Sequence, residues 1–247
     1  MAKFNHFANV FFIAMTMPYF FTNVIPGSGE EILLPEETAR HAVLVLRMKK
    51  GDPVLLTDGR GSLLHCTLSN DNKKNAAAII NNLETFPRPS KANTIAVSLV
   101  KNTGRLEWLL EKLTETGIRN IIPLLCERTE KQHMRQERLQ GILISAMLQS
   151  RQVWLPALAE PTHFNELMST NKNQKFIAHC GAYNAGKTLA AYSPFSDAIV
   201  LIGPEGDFSR DEIVMAIEHE FLPVMLGNNR LRTETAAMAA GVVMQLC

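Results

Sequence analysis

Two polar turns hold most of the chemistry this sequence can carry. The first, Gly203-Pro204-Glu205-Gly206-Asp207-Phe208-Ser209, is entered from the apolar run Ile199–Ile202. Its glycines let a ligand come close to backbone N–H and C=O groups. Ser209 with Glu212 three residues on spells a capping box that starts a helix. A plain strand-to-helix turn would need no more than this. The second is Leu226-Gly227-Asn228-Asn229-Arg230-Leu231-Arg232-Thr233-Glu234-Thr235-Ala236. A cap explains one threonine and the helix dipole explains Glu234. Neither explains Arg230 and Arg232 at the positive end of a helix, where they suit an anion or a developing negative charge.

A third stretch, Gly181-Ala182-Tyr183-Asn184-Ala185-Gly186-Lys187-Thr188, matches the phosphate-loop pattern of nucleoside-triphosphatases in full and follows the strand-like run Phe176–Cys180. A phosphate loop must open a helix whose N-terminus cradles the phosphates. Here only Leu189–Tyr192 remain before Ser193-Pro194 stops it, and no later strand ends in an Asp suited to magnesium. A triphosphatase therefore stays open as an alternative function with an incomplete signature. His179 and Cys180 are neighbours on a strand, so their side chains point to opposite faces and cannot form a dyad. His41, His65 and His163 have no obvious acidic partners in the sequence. Cys66, Cys126, Cys180 and Cys247 are scattered, with no metal-ligand spacing, so no metal is expected and the thiols suit a reducing cytosol.

The elements that must hold these turns divide at Phe86-Pro87-Arg88-Pro89-Ser90, where two prolines favour extended chain. Before it, runs such as Pro53–Thr57 and Leu63–Leu68 alternate with turn signals at Pro26–Gly29, Gly51–Pro53, Asp58–Gly61 and Ser69–Asn72. That pattern predicts a small β-barrel, with one helix over Glu36–Leu46. After it, strands over Thr94–Val100, Ile121–Leu125, Phe176–Cys180, Ala198–Ile202 and Pro223–Leu226 alternate with helices. The helices fall over Arg105–Thr116, Gln136–Gln149, Arg210–Glu220 and from Glu234 onward. Such alternation predicts a parallel sheet covered by helices, with ligands at the carboxyl ends of the strands.

The 247 residues, 46% hydrophobic and 20% charged, exclude disorder, collagen and coiled coil. Lysine and arginine number 25 against 24 acidic residues, so net charge gives no sign of nucleic acid. The one local excess runs from Lys101 to Arg151, with nine basic residues against six glutamates. It is compatible with phosphate contacts or with a solvated helix face. No apolar run reaches the ~18 residues that cross a membrane. Residues 1–16 loosely imitate a signal peptide, but Asn9 interrupts the apolar stretch and no cleavage site follows. They read as an amino-terminal extension, with the translation start open between Met1, Met15 and Met17.

Taken together, the two turns resemble the carboxyl-terminal signature of the SPOUT class of S-adenosylmethionine-dependent RNA methyltransferases. More narrowly, the chain resembles the ribosomal small subunit methyltransferase E family, which methylates N3 of a uridine in 16S rRNA. The likeness extends to His41 with Val45-Leu46-Arg47-Met48, Asp58-Gly59, Glu107-Trp108, Lys112, Glu115, Gly117, Pro123-Leu124, Glu127-Arg128, Gln149-Ser150 and Pro156. It implies an α/β fold: a PUA-like RNA-binding β-barrel over 17–86, and a SPOUT methyltransferase domain with a trefoil knot over 90–247. It also implies a cytoplasmic homodimer acting on 16S rRNA in the small subunit, with no membrane partner. S-adenosyl-L-methionine would be held by Leu201, Ile202, Gly203, Glu205 and Gly206 on one side and Leu226, Gly227, Leu231 and Arg232 on the other, with His179 as a further wall. A non-catalytic ribosome-assembly factor of the same fold is a second alternative.

Methylation at N3 requires loss of its proton and support for charge spreading onto O2 and O4. Glu205 or Glu234 could serve as base, and Arg232 is expected to stabilise the charge. His41, Arg47 and Arg60 in the barrel could contact RNA. Tyr19 and Phe20 could stack on bases or be the core of the first strand. The chain departs from the family pattern at Leu44, Thr116 and Arg230. It departs again at Arg151-Gln152, where the family usually has Gly-Arg, and at Asp207, where glycine is common.

Overall fold

The structure, a computed structural model, describes residues 17–180 and 187–247. The amino-terminal extension and Gly181–Gly186 of the phosphate-loop motif lie outside the described residues. The chain falls into two compact units, the first running to Arg88 and including Leu148–Trp154, the second holding the remainder.

In the first unit, β1 (Tyr19–Phe21) pairs parallel with β3 (Pro53–Thr57). Strand β3 pairs antiparallel with β4 (Ser62–Asn70), β4 with β5 (Ala77–Thr85), and β5 with β2 (Glu31–Leu33). The result is a curled five-stranded sheet, ordered β1-β3-β4-β5-β2. Alternation along β4 turns Leu64, Cys66 and Leu68 inward against Phe20, Ile32, Leu56 and Ile80. The β3–β4 turn is set by Asp58, whose Oδ1 accepts from the N–H groups of Arg60 at 2.8 Å and Ser62 at 3.1 Å. Gly61 has φ 98° and lies so close to the Trp154 ring that a Cβ there would collide with it. Short helix α1 (Glu36–Arg40) widens into a π turn over His41–Val45, where Leu46 N–H donates to His41 O at 3.0 Å.

The heptapeptide Leu148–Trp154, sequentially part of the expected methyltransferase domain, packs with this first unit. Gly61 N–H donates to Val153 O at 2.8 Å and Tyr19 Oη to Gln152 O at 2.9 Å. Arg151 takes φ 57°, and its guanidinium stands 5.4 Å from the Tyr19 ring centre. Burial pushes the Tyr19 hydroxyl up to about 12. Phe20 is core, in edge contact with His41 at 5.8 Å. His65 has an acidic neighbour after all: its Nε2 lies 3.0 Å from Glu84 Oε1 across the β4–β5 ladder. A pairing 19 positions apart leaves no local sequence signal.

The second unit runs β6 (Thr94–Ser98), α2 (Thr103–Glu115), β7 (Asn120–Leu125), α3 (Gln136–Gln149), β8 (Ala157–Leu158) and β9 (Thr162–His163). It continues through a 3-10 turn (Phe164–Ser169), β10 (Gln174–Ala178), a second 3-10 turn (Leu189–Tyr192) and β11 (Ala198–Ile202). Helix α4 (Arg210–Glu218), β12 (Leu222–Val224) and α5 (Thr233–Leu246) complete it. All pairings in its sheet are parallel, in the order β12-β10-β11-β6-β7-β8, with β9 also on β7. Pro123, which has no N–H to give, falls between the residues of β7 that pair with β8 and those that pair with β9.

Both faces of the sheet are covered, so β11 reads as an unbroken apolar run and is buried throughout. Ala198, Val200 and Ile202 face the cluster of Leu106, Leu109, Leu110 and Leu113 from α2 with Ala237, Ala240 and Met244 from α5. Ile199 and Leu201 face Phe164, Phe208, Ile213 and Ala216 on the other side. Gly241 lets α2 and α5 close up, since a Cβ there would stand 2.8 Å from Leu113 Cδ2.

Two details bear on the sequence reading, the first against it and the second in line with it. Strand β10 ends at Ala178, so His179 and Cys180 lie in the loop beyond it. After the phosphate-loop motif the chain stays extended: Thr188 bridges Met225, and Leu189 N–H donates to Met225 O at 2.9 Å. Only a four-residue 3-10 turn follows, which presents no α-helical N-terminus to a phosphate.

Candidate functional site

Strands β10, β11 and β12 end side by side at Ala178, Ile202 and Val224, and a two-lobed cleft opens beyond them. The smaller lobe, about 260 Å³, is walled by Ile202, Gly203, Glu205, Asp207, Arg230 and Arg232 among others. The larger, about 510 Å³, is walled by His179, Leu226, Gly227, Asn228, Asn229 and Arg230 among others. Cys180, Leu231 and Ala236 border both lobes, which makes them one continuous cleft in the size range of cofactor sites.

The loop after β11 is held from three sides. The Ser209 hydroxyl accepts from Glu212 N–H at 3.3 Å, and Glu212 Oε2 accepts from Ser209 N–H at 2.8 Å, completing the capping box of α4. Glu212 Oε1 accepts from Glu127 N–H at 2.8 Å, tying in the loop after β7. Arg128 from that same loop donates to Gly206 O at 2.8 Å and reaches Phe208 O at 3.4 Å. From the far side, the Thr233 hydroxyl donates to Gly203 O at 3.0 Å. Gly203 sits so close to the Phe208 ring that a Cβ would stand 3.1 Å from it.

Asp207 takes φ 63°, the left-handed region where glycine is at ease. Its carboxylate offsets the strain, accepting from Cys180 N–H at 2.9 Å and from its own neighbour Phe208 N–H at 2.9 Å. The aspartate thereby clasps the exit of β10 to the loop after β11.

Charge in the cleft is divided. Arg230 and Arg232 stand beside the start of α5, where Arg232 is the N-cap and makes no side-chain capping bond. The first-turn N–H groups and the helix dipole add to their positive field. Glu205 and Asp207 supply negative charge in the same lobe. A ligand with a cationic part and an anionic part fits this wall.

Of the residues singled out from sequence, His179, Ile202, Gly203, Glu205, Leu226, Gly227, Leu231 and Arg232 border the cleft. Leu201 is wholly buried beneath it, and Gly206 faces Arg128 rather than the cavity. Glu234 is buried behind the wall: Oε1 lies 3.5 Å from Arg105 Nε, and Oε2 has no hydrogen-bond partner among the described residues. His41, Arg47 and Arg60 belong to the first unit and are exposed. The contacts of Arg105 and Arg128 and the second bond of Glu212 escaped the sequence reading. Their partners lie between 78 and 129 positions away, beyond any local pattern.

His179 is buried, and desolvation holds its imidazole below the ordinary histidine value, with Asp207 opposing. The unfolded chain therefore takes up a proton here that the folded unit resists. Stability from this residue is present above the ordinary value of 6.5 and is lost as pH falls below it. His179→Gln is expected to flatten the acid side of the stability profile between about pH 7 and 5. Urea midpoints across that range check it; an unchanged slope contradicts it.

A family model described as an RNA methyltransferase domain matches residues 87–245, and one described as an RNA methyltransferase PUA domain matches residues 34–81. Ribosomal RNA small subunit methyltransferase E of Synechocystis is 32% identical over 203 residues, covering 79% of this chain and 66% of that relative's own length. A crystal structure of a probable rRNA-methyltransferase from Porphyromonas gingivalis superposes with a TM-score of 0.85 at 35% identity, over 94% of this chain and 99% of the other. A ribosomal RNA small subunit methyltransferase E from Neisseria gonorrhoeae, bound to S-adenosyl methionine, superposes at 0.83 with 29% identity, over 93% and 97% of the two chains. The parallel sheet with its strand-end cleft, joined in one chain to a PUA-like sheet, is thus the architecture of those proteins, and the chain belongs to the RNA methyltransferase family that includes the ribosomal RNA small subunit methyltransferases E.

Proposed function

We propose that this protein transfers a methyl group from S-adenosyl-L-methionine to N3 of a uridine in 16S rRNA of the small ribosomal subunit. The observation that carries the reading is the divided charge of the cleft: two arginines and an open helix N-terminus face Glu205 and Asp207. That pattern suits a cofactor bearing a carboxylate together with a positive ammonium and sulfonium. Bound there, the cofactor supplies an electrophilic methyl group.

Leu226, Gly227 and Leu231 on one side, and Ile202, Gly203 and Glu205 on the other, hold the cofactor, with His179 as a neutral wall beside the larger lobe. Leu201 shapes the loop from beneath, and Gly206 through its carbonyl bond to Arg128. Glu205, on the cleft wall, takes the proton from N3. Glu234, turned toward Arg105, positions the first turn of α5. Arg232 holds the negative charge that grows on O2 and O4. No covalent intermediate and no metal is needed, since placing N3 in line with the methyl at close range supplies much of the rate.

The PUA-like unit, with His41, Arg47 and Arg60, presents the RNA. Domain limits at 17–86 and 90–247, a knotted cleft and a homodimer are part of the same reading and rest on the family resemblance. So does a cytoplasmic site of action, where the substrate is found. No helix among the described residues is long and apolar enough to cross a membrane.

Calorimetry with S-adenosylmethionine and with Mg-ATP, followed by methylation of small subunits lacking the modification, tests the reading. Micromolar cofactor binding, no ATP signal and one methyl group gained at uridine N3 are expected. ATP binding abolished by Lys187→Ala, with no cofactor signal, would overturn it in favour of the phosphate-loop motif. Subunit binding with neither cofactor binding nor methyl transfer would favour an assembly factor instead.

A further inference from the structure

We infer that the methyltransferase unit carries an RNA site of its own, a basic groove that holds the phosphate backbone of an unpaired rRNA segment; this rests on the reading of the chain as an RNA methyltransferase. The groove, about 590 Å³, lies between the first turns of α2 and α3 and the loop that leads into α3. Its floor is apolar, made by Leu106, Met134 and Leu139. Lys131, His133 and Arg135 stand around it.

The charges decide what it can bind. Of the basic residues between Lys101 and Arg151, Lys101 is paired with Glu130 at 2.8 Å, Lys112 with Glu111 and Glu115, and Arg105 with Glu234. Arg138 is closed onto Glu107 through two parallel bonds, at 2.5 and 3.0 Å, which neutralises the one carboxylate in the groove wall. Lys131 and Arg135 form no ion pair among the described residues. Lys131 donates to the Thr103 hydroxyl at 2.9 Å, which fixes its ammonium at the mouth of the groove. Glu137, the acid on the first turn of α3, is exposed and outside the wall.

Two cations over an apolar floor, one of them fixed by Thr103, with an imidazole at the rim, match a single strand better than a small anion. Phosphates meet Lys131 and Arg135 while a sugar or base covers the floor and stacks on His133. The groove also leads toward the chemistry. Gly104 lines it, while Arg105, next in the chain, pairs with Glu234 in the first turn of α5, two residues from Arg232 at the cofactor cleft. A strand laid along the groove is thus directed at the site where its uridine must react. The excess of basic residues in this stretch is in that case neither a solvated helix face nor a general nucleic-acid charge. Four of its nine members are ion-paired within the chain, Arg128 is bound to backbone carbonyls and Arg151 lies over Tyr19, while Lys131 and Arg135 line the groove.

The test is a Lys131→Ala, Arg135→Ala double variant of the full chain, with small subunits lacking the modification as the RNA. Both side chains are away from the core, and thermal melting checks that the fold is kept. The expected result is an RNA dissociation constant and KM raised about tenfold, with the slope of log affinity against log salt reduced by about 1.4, two single-strand phosphate contacts' worth. Cofactor affinity and kcat at saturating RNA stay at the parent's values. RNA affinity and salt slope equal to the parent's would overturn the groove while leaving the methyltransferase reading intact, as would a fall in kcat with RNA affinity unchanged. A parent protein that binds no RNA would overturn both.

Discussion

Arg232→Ala is expected to slow methyl transfer by about 100- to 1,000-fold at saturating RNA and cofactor, the usual cost of losing one donor aimed at developing anionic charge. The side chain stands at the N-cap of α5, on the wall of the smaller lobe, and no capping bond diverts it into structural service. The dipole of α5 and Arg230 remain in the variant, so cofactor affinity is expected to fall much less than rate. Arg232→Lys keeps a point charge but loses the planar fork, and should recover only part of the loss. Single-turnover methylation with unmodified small subunits measures the chemical step directly. A rate within about twofold of the parent's would remove Arg232 from the charge-stabilising role.

The second large effect concerns Glu212, which touches no ligand. Its two oxygens accept from Ser209 and Glu127 N–H groups, and the residue is buried. Glu212→Leu leaves both donors without an acceptor at about 1–3 kcal/mol each. The sum, about 2–6 kcal/mol, is a large share of a domain's typical 5–15 kcal/mol. A drop of roughly 5–20 °C in Tm is expected, together with weaker cofactor binding as the loop carrying Gly203 and Glu205 loses two of its ties. Glu212→Gln should fall between, since one amide oxygen can still accept while its NH₂ group cannot. A Glu212→Leu melting within 1 °C of the parent's, about the effect of a neutral surface change, would show that the two bonds contribute nothing.

Glu212 also shows where sequence reading stops. The half of its role that spans three residues, the capping box with Ser209, is legible from spacing alone. The half that reaches Glu127 depends on β7 and β11 ending at the same edge of the sheet, with β6 between them, and no local pattern records that. Strand β11 and helix α3 read to the residue because each is bounded by a sharp change in pattern. Helix α1 did not, because its continuation as a π turn depends on a 41-to-46 bond that the 3.6-residue period does not encode. In the cleft, types and spacing found the residues on the wall. They could not tell Ile202, which faces it, from Leu201, which alternation sends into the opposite core.

Two of the departures from the family pattern become intelligible with backbone angles. Asp207 and Arg151 occupy positions at φ 63° and 57°, where the resembled family commonly has glycine. Each bears a strain of about 1–2 kcal/mol, and each has a contact that glycine could not make: the carboxylate of Asp207 on Cys180, the guanidinium of Arg151 over Tyr19. What looked like loss of a permissive residue is the gain of a clasp.

The return of Leu148–Trp154 to the first unit means that the chain passes between the units three times, after Arg88, after Met147 and after Trp154. A ribosome making this protein cannot complete the PUA-like unit from the first 88 residues. The partners of Tyr19 Oη and Gly61 N–H emerge only after β6, α2, β7 and α3 have been synthesised. The first unit is therefore completed only once Trp154 has been made. After a single protease cut in the 86–90 linker, the first 88 residues would still hold the heptapeptide through the Gly61–Val153 and Tyr19–Gln152 bonds.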